Sequence, residues 1–236
     1  MAALGGMSHA QGAEPLRWAL DEFRTRCVAL WSDEPHPECR VAEFGEVAVL
    51  DGWTLFFAVY DDPAMPILIM GTSGWRQRNA LVLLKADRLD PQEATVLHIR
   101  KPERGDGPIM YHVPEVIETE LGPVLFLRGT GSGDGSFQFE YDEHWLWRSG
   151  ALVPLDVHGW LYPMRERMPD GFALKGIGDL RDALRTLTYV SRDVAVAGDL
   201  DCCPSGGTLR IRFEWDDLTL RVESFEHDPG GQVPAE

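Results

Sequence analysis

The pattern near the carboxy-terminal end of the chain restricts the fold most. Apolar and polar residues alternate strictly over residues 208–215, and the alternation resumes over residues 218–222. Successive side chains of a strand point to opposite faces, so each run has one apolar and one charged face. The acidic pair Asp216-Asp217 separates the two runs and favours a turn. The sequence therefore predicts an antiparallel hairpin that covers a core on one side and meets water on the other.

A second hairpin is predicted around Asp51-Gly52, between apolar runs at residues 47–50 and 53–60. Asp-Gly between two such runs is a strong signal for a two-residue β-turn. Further short apolar runs, separated by turn residues, follow at residues 66–70, 80–84, 94–99, 109–112 and 124–128. This spacing favours a meander of antiparallel strands.

The amino-terminal region has helical periodicity instead. Within residues 14–31, apolar residues recur at three- and four-residue steps from Leu16 to Cys27. The pattern predicts an amphipathic helix with Cys27 on its buried face.

Two shorter helices are predicted further along the chain. Residues 157–168 favour a brief or broken helix because of Pro163, and residues 179–187 favour a helix that Asp179 caps. The predicted fold class is α+β: mostly antiparallel β meander and hairpins, an N-terminal amphipathic helix and one or two short helices.

The domain organisation follows from length and composition. The 236 residues are enough for one sizeable core or two small ones, and no low-complexity linker interrupts them. We predict a single α+β domain over residues 14–228, with a subdivision near 150–156 left open, and a disordered tail at 229–236. Residues 1–13 are uncharged and contain Ser8-His9-Ala10, a small-x-small site. They are interpreted as the remnant of a signal peptide or as a disordered extension.

The charge of the chain excludes some partners. The formal net charge is −16 at pH 7. Such a surface repels phosphate backbones and anionic lipid, so we predict neither nucleic-acid binding nor membrane-surface binding, whereas cationic partners are attracted. No apolar run approaches the roughly 18 residues that a transmembrane helix needs.

The chain has four cysteines, Cys27, Cys39, Cys202 and Cys203, which allow three pairings. We favour Cys27–Cys39 together with Cys202–Cys203. The pairings that tie the N-terminal helix to the C-terminal hairpin remain open. Zinc ligands usually come in pairs spaced by two to four residues, and the chain has no such pair of cysteines or histidines. No cofactor is predicted.

One local cluster combines titratable groups with aromatic rings. Asp142, Glu143 and His144 directly precede Trp145, and Trp147 follows. This cluster could bind a sugar or a peptide, and the alternative is that it forms an ordinary hairpin turn.

Other candidate motifs are incomplete. The stretch "RGTGSGDGS" lacks the lysine and the following helix of a phosphate loop, and "GTSGW" lacks the last glycine of a nucleophile elbow. Asp199 and Asp201 form a weak calcium candidate, but an EF-hand is excluded because its twelfth position is Arg210. No catalytic residue is predicted, and binding is favoured over catalysis.

The stretch "GDLDCCPSGG", followed by the alternating strand "TLRIRFEW", resembles a C-terminal signature of uncharacterised exported bacterial proteins and lipoproteins. In those proteins an acidic-Cys-Cys-Pro-Ser/Thr-Gly-Gly stretch precedes a final hairpin. The resemblance covers roughly residues 193–223. It implies export and disulfide bonds, and it implies no activity. The chain has no lipobox cysteine, so a lipid anchor is not predicted.

These observations predict a periplasmic or secreted, acidic, disulfide-stabilised β-rich module that binds a protein, a peptide or an envelope glycan. The alternative is a cell-envelope hydrolase with a dispersed site that uses His144, Asp142 or Glu143. A thiol-redox role for Cys202 and Cys203 is less favoured, because redox cysteines are usually spaced by two residues near a helix N-terminus.

Overall fold

A computed structural model of the chain describes residues 17–27, 37–61, 79–101, 109–132, 138–199 and 203–230. In these ranges the predicted antiparallel β architecture is confirmed, and three helices of six residues each accompany the sheets. None of the helices in these ranges is long and apolar enough to cross a membrane.

The chain divides into two compact units. Unit 1 comprises Met1–Tyr111 and Thr130–Phe139, and unit 2 comprises His112–Gly129 and Glu140–Glu236. Both units fall largely within the range that the sequence predicts as one domain. The number of independently folding domains stays a prediction.

Among the described residues, unit 1 contains one helix and six complete strands. They are β1 (Arg17–Ala19), α1 (Leu20–Thr25), β2 (Arg40–Leu50), β3 (Trp53–Asp61), β4 (Asn79–Asp87), β5 (Glu93–Arg100) and β6 (Ile109–Tyr111). Five of the strands form an antiparallel sheet in the order β1-β5-β4-β3-β2. The consecutive strands from β2 to β5 lie side by side, as the predicted meander requires.

The predicted hairpin at Asp51-Gly52 is confirmed. Leu50 lies opposite Trp53, and both turn residues have positive φ, 50° at Asp51 and 82° at Gly52. A two-residue turn of this kind matches the right-handed twist of the strands that it joins. Because Gly and Asp tolerate positive φ better than most residues, the dipeptide fixes the register between β2 and β3.

The predicted helix over residues 14–31 is not confirmed. Arg17–Ala19 pairs with β5 as strand β1, and the helix itself spans only Leu20–Thr25. The Leu20 N–H donates to the Gln92 carbonyl oxygen (2.9 Å). Pairing with β5 therefore keeps residues 17–19 extended up to the first residue of the helix. The apolar stripe is nevertheless used, because Phe23 and Cys27 are buried in the core of unit 1. Residues 14–16 and 28–31 lie outside the described residues.

In its described part, unit 2 contains two helices and most of the remaining strands. They are β7 (Glu115–Thr119), β8 (Gly122–Ser132), β9 (Gln138–Arg148), β10 (Ala151–Pro154), α2 (Leu161–Glu166), β11 (Phe172–Leu174), α3 (Arg181–Thr186), β12 (Thr188–Ser191), β13 (Val194–Val196), β14 (Thr208–Asp216) and β15 (Thr219–Asp228). The ends of β8 and β9 belong to unit 1. β7 pairs with β8, β8 with β9, and β9 with β10. β11 pairs with β13, and β12, β14 and β15 form a three-stranded sheet in that order.

The predicted C-terminal hairpin is confirmed as β14 and β15. Asp216 lies opposite Thr219, and the turn places Asp217 at a φ of 54°. The apolar positions of β14, such as Ile211 and Phe213, are buried, and the arginines between them are exposed. The buried side chains join the apolar core of unit 2.

The two short helices of unit 2 differ in extent from their predictions. α2 begins at Leu161 rather than at residue 157, and Pro163 lies in its first turn, where a proline breaks no helical hydrogen bond. α3 is preceded by Asp179, whose Oδ1 accepts a hydrogen bond from the Arg181 N–H (2.8 Å). The N-cap residue is Leu180, which makes no side-chain cap hydrogen bond, so the helix begins two residues later than predicted and Asp179 binds its first N–H from the preceding turn.

Candidate functional site

The segment around "GDLDCCPSGG" is held together by one carboxylate. Oδ2 of Asp199 accepts hydrogen bonds from the backbone N–H groups of Val196 and Ser205 (2.8 Å each), and Oδ1 accepts one from Ser205 Oγ (2.8 Å). The backbone hydrogen bond from Ser205, followed by the one from Val196, holds the pKa of Asp199 below its usual range. In this segment Asp199 organises the loop that precedes β14.

The calcium site predicted from Asp199 and Asp201 stays a prediction, because Asp201 lies outside the described residues. Among the residues that the structure does describe, no group of three or more His, Cys, Asp or Glu side chains is arranged to hold a metal ion.

The two glycines that end the motif allow close backbone contacts. The Gly206 N–H donates to the Val194 carbonyl oxygen (2.7 Å), and a Cβ on Gly206 would lie 2.7 Å from that oxygen. Gly207 has a φ of +87°, and a Cβ there would overlap the Asp228 carbonyl oxygen. These contacts explain the "GG" of the motif as a structural requirement of the hairpin entry.

Replacing Gly207 with alanine should therefore destabilise the protein. A left-handed backbone costs a non-glycine residue roughly 1–2 kcal/mol, and the overlap with Asp228 adds to this cost. Gly198→Ala is the matched control, since Gly198 also has a positive φ (+98°) but its Cβ would meet no atom within 4 Å. Urea denaturation should show a larger loss for Gly207→Ala, and equal losses would contradict this explanation.

The structure describes three of the four cysteines, and each of the three is part of a disulfide bond. Cys27 and Cys39 form the predicted disulfide, with a sequence separation of 12. Cys203 is also disulfide-bonded. Cys202 lies outside the described residues, so the Cys202–Cys203 pairing stays a prediction.

The cluster of Asp142, Glu143, His144, Trp145 and Trp147 lies within strand β9 and not at a turn. Because side chains alternate along a strand, Asp142 and His144 point to one face and the other three point to the opposite face. On that opposite face the Trp145 Nε1–H donates to Oε2 of Glu143 (3.0 Å). Trp147 is buried. The structure thus divides the cluster between two faces, and its binding role stays a prediction.

His144 is buried in the core of unit 2, with 4% of its surface exposed. Its ring centroid lies 5.0 Å from that of Phe126 and 5.7 Å from that of His158. Its Nε2 has no hydrogen-bond partner among the described residues. Burial, with a smaller contribution from His158, lowers the pKa of His144 to about 3, although Asp179 and Glu143 oppose the shift. At neutral pH the imidazole is uncharged and out of reach of solvent.

Unit 2 also contains a groove that the sequence did not reveal. Its volume is about 330 Å³, and it lies between α2 and the beginning of β15. Pro163, Met164 and Arg167 line it from the helix side, and residues 219–222 line it from the strand side. Trp160, Met164 and Leu220 form a buried apolar floor. We call this feature the α2–β15 groove.

No protein-family model, curated protein or solved structure matches this chain. The resemblance of the segment "GDLDCCPSGG" to exported bacterial proteins therefore stays a prediction. The contacts among the described residues define the site.

Asp156 holds the two walls of the groove in place. Its backbone N–H donates to the Leu218 carbonyl oxygen (3.0 Å), and its carbonyl oxygen accepts from the Leu220 N–H (2.8 Å). Its Oδ1 accepts from the N–H groups of His158 (3.2 Å) and Gly159 (2.8 Å), just before α2 begins. A Cβ on Gly159 would overlap Oδ2 of Asp156, so this approach of the chain requires a glycine.

Two arginines give the groove its positive charge. The Cζ atom of Arg167 lies 4.9 Å from the centre of the Phe225 ring, and its guanidinium forms no ion pair within the described part of the chain. Arg221 forms an ion pair with Asp216 (2.6 Å). The sequence shows Arg167 only as one charge of a short helix. No local pattern indicates that it faces the strand some 55 positions later.

A second polar cluster of unit 2 is already satisfied internally. Nη1 of Arg181 contacts both carboxylate oxygens of Glu115 (2.8 and 3.0 Å), and the same guanidinium pairs with Asp179. These hydrogen bonds raise the pKa of Arg181. The cluster joins α3 to β7, and we interpret it as a structural ion-pair network.

Proposed function

We propose that this chain is an exported, disulfide-stabilised β-rich protein of the periplasm or the extracellular space, which binds a partner in the α2–β15 groove without chemically changing it. The observation that carries the proposal is the lining of the groove. An apolar floor lies beside the guanidinium of Arg167, which has no ion-pair partner among the described residues. Natural ligand sites combine apolar walls with a few polar groups in about 300–1,000 Å³.

The disulfide between Cys27 and Cys39 supports the export part of the proposal. Disulfides persist in oxidising compartments and are rare in the reducing cytosol. The cysteine-containing signature, with its resemblance to exported bacterial proteins, supports the same location.

The geometry of β9 supports binding over the alternative of a hydrolase that uses His144, Asp142 or Glu143. A general base has to reach the proton that it removes, directly or through one water molecule. His144 is buried and uncharged at neutral pH, and Glu143 points to the other face of the strand. The groove offers an accessible surface, whereas the His144 imidazole is buried.

The test compares two variants of α2. Pro163 is exposed and lines the groove, so Pro163→Trp should fill its mouth. Tyr162→Trp is the matched control, because Tyr162 is 74% exposed and does not line the groove. Circular dichroism should first show that both variants fold. Each protein is then immobilised and exposed to peptides and glycans released from bacterial envelopes.

We expect the native protein and Tyr162→Trp to retain the same species, with Pro163→Trp retaining none of them. Mass spectrometry should recover the retained species at unchanged mass. Equal retention by Pro163→Trp would remove the groove from the proposal. Products that have gained one water molecule would instead show a hydrolase.

A further inference from the structure

The geometry points to a specific ligand for the α2–β15 groove: we infer that it takes the carboxy-terminal end of an extended peptide whose last residue is apolar. Because it concerns the same groove, this inference rests on the proposed function. It is carried by three features that meet in the groove, namely an edge of a β-sheet, an apolar floor and a pair of arginines.

The first feature is the edge of β15. β15 is the outer strand of the β12-β14-β15 sheet, and the Leu218 carbonyl and the Leu220 N–H point away from β14, toward Asp156. Backbone groups alternate along a strand, so the Leu220 carbonyl and the Val222 N–H point in the same direction. Asp156 and Thr219 form a parallel bridge of a single residue pair. A peptide can continue this bridge along β15 as an added strand.

The second feature is the apolar floor. Trp160, Met164 and Leu220 are each at least 96% buried and underlie the groove. The Trp160 ring is fixed by an edge contact with Phe213, with 5.0 Å between ring centroids, and by the hydrogen bond from its Nε1–H to the Val157 carbonyl oxygen (2.8 Å). A rigid apolar surface of this kind suits one aliphatic side chain at the end of the peptide, and a cavity of about 330 Å³ limits what can enter to a short chain end.

The third feature is the positive charge. Arg167 and Arg221 reach the groove from opposite walls, in a chain whose net charge is −16. Arg221 is already ion-paired with Asp216, so Arg167 is the guanidinium that would bind a ligand carboxylate. A guanidinium binds a carboxylate with two parallel hydrogen bonds, and Arg167 is held over Phe225 with no competing carboxylate among the described residues. The acidic group of the groove, Asp156, already accepts two backbone hydrogen bonds through Oδ1. The terminal carboxylate of a peptide supplies the complementary negative charge next to an apolar side chain.

The experiment uses the full chain and fluorescence anisotropy. The probe is a fluorescein-labelled pentapeptide, Ser-Ala-Ala-Val-Leu, either with a free carboxylate or as its C-terminal amide. We expect the native protein to bind the free acid at least about tenfold more tightly than the amide, because hydrogen bonds between a guanidinium and a carboxylate are stronger than those to a neutral amide. Arg167→Gln should remove this difference. Arg165→Gln should preserve it, because Arg165 lies in α2, two residues before Arg167, but does not line the groove.

The outcomes separate this inference from the proposed function. Equal binding of acid and amide by the native protein, with binding lost in Pro163→Trp, would overturn the carboxylate inference and leave groove binding intact. The carboxylate inference would also be overturned, and groove binding left intact, by a second outcome. In that outcome neither peptide binds, but the native protein retains envelope species that Pro163→Trp does not. If 4-methylpentanoate displaces the peptide at equal concentration, the groove holds a small apolar acid, and the inference of a peptide strand is wrong.

Discussion

The free energy of unfolding should fall steeply as the pH is lowered from 6.5 toward 3, and His144 should cause much of the fall. In the unfolded chain the imidazole takes up a proton near pH 6.5, whereas burial lowers the pKa in the folded protein to about 3. Between these values the unfolded state binds more protons, so stability decreases as the pH decreases. The loss amounts to about 1.4 kcal/mol per pH unit, or about 4–5 kcal/mol over the whole interval. Above pH 6.5 this group contributes no pH dependence.

Urea denaturation at a series of pH values measures this effect. The variant His144→Leu keeps an apolar side chain against Phe126 and should remove the slope that His144 contributes, while the slope from other groups remains. His158→Gln measures the contribution of the neighbouring histidine, 5.7 Å away between ring centroids. Burial also lowers the pKa of His158, so this variant should reduce the slope, but by less than His144→Leu does. If the native protein and His144→Leu lost stability in parallel below pH 6.5, the imidazole would not be the titrating group.

Removing the disulfide between Cys27 and Cys39 should also have a large effect. A cross-link over a sequence separation of 12 restricts the unfolded chain and contributes about 3 kcal/mol to stability. The double variant Cys27→Ala/Cys39→Ala removes the cross-link without burying a new polar group, which matters because Cys27 is 7% exposed. Hydrogen exchange should show weaker protection of the amides of β3 and β4, which form the centre of the sheet in unit 1.

The control for this prediction is the native protein under reducing conditions. Reduction opens the same cross-link, so in unit 1 the reduced native protein and the reduced double variant should have similar protection. Unchanged protection of β3 and β4 in the oxidised double variant would show that the cross-link does not restrain the sheet of unit 1.

The parts of the fold that were predicted correctly depend on neighbouring residues. The hairpins at Asp51-Gly52 and at Asp216-Asp217 follow from alternation on each side of residues that tolerate positive φ. The Cys27–Cys39 pair is also local. The extent of the N-terminal helix was not predicted, because residues 17–19 extend along the edge of β5, a distant segment. The helical periodicity of residues 14–31 correctly placed Phe23 and Cys27 in a core, but it did not indicate where the helix begins.

Sequence proximity was misleading for the candidate site. Asp142, Glu143 and His144 are adjacent in sequence, but a strand sends adjacent side chains to opposite faces. The α2–β15 groove instead joins Asp156 and Arg167 to residues 219–222, which local patterns cannot connect. Trp147, a member of the predicted cluster, is buried.

The single-residue bridge at Asp156 also bears on solubility. An open strand edge invites pairing with other molecules and can seed fibrils. In β15 the first edge groups are occupied by Asp156, and charged side chains such as Arg221, Glu223 and Glu226 are exposed further along the strand. The part of the edge at residues 219–222 lies in the α2–β15 groove, with α2 beside it. We therefore expect the bridge, the exposed charges and the neighbouring helix to keep this sheet edge from becoming a template for polymerisation.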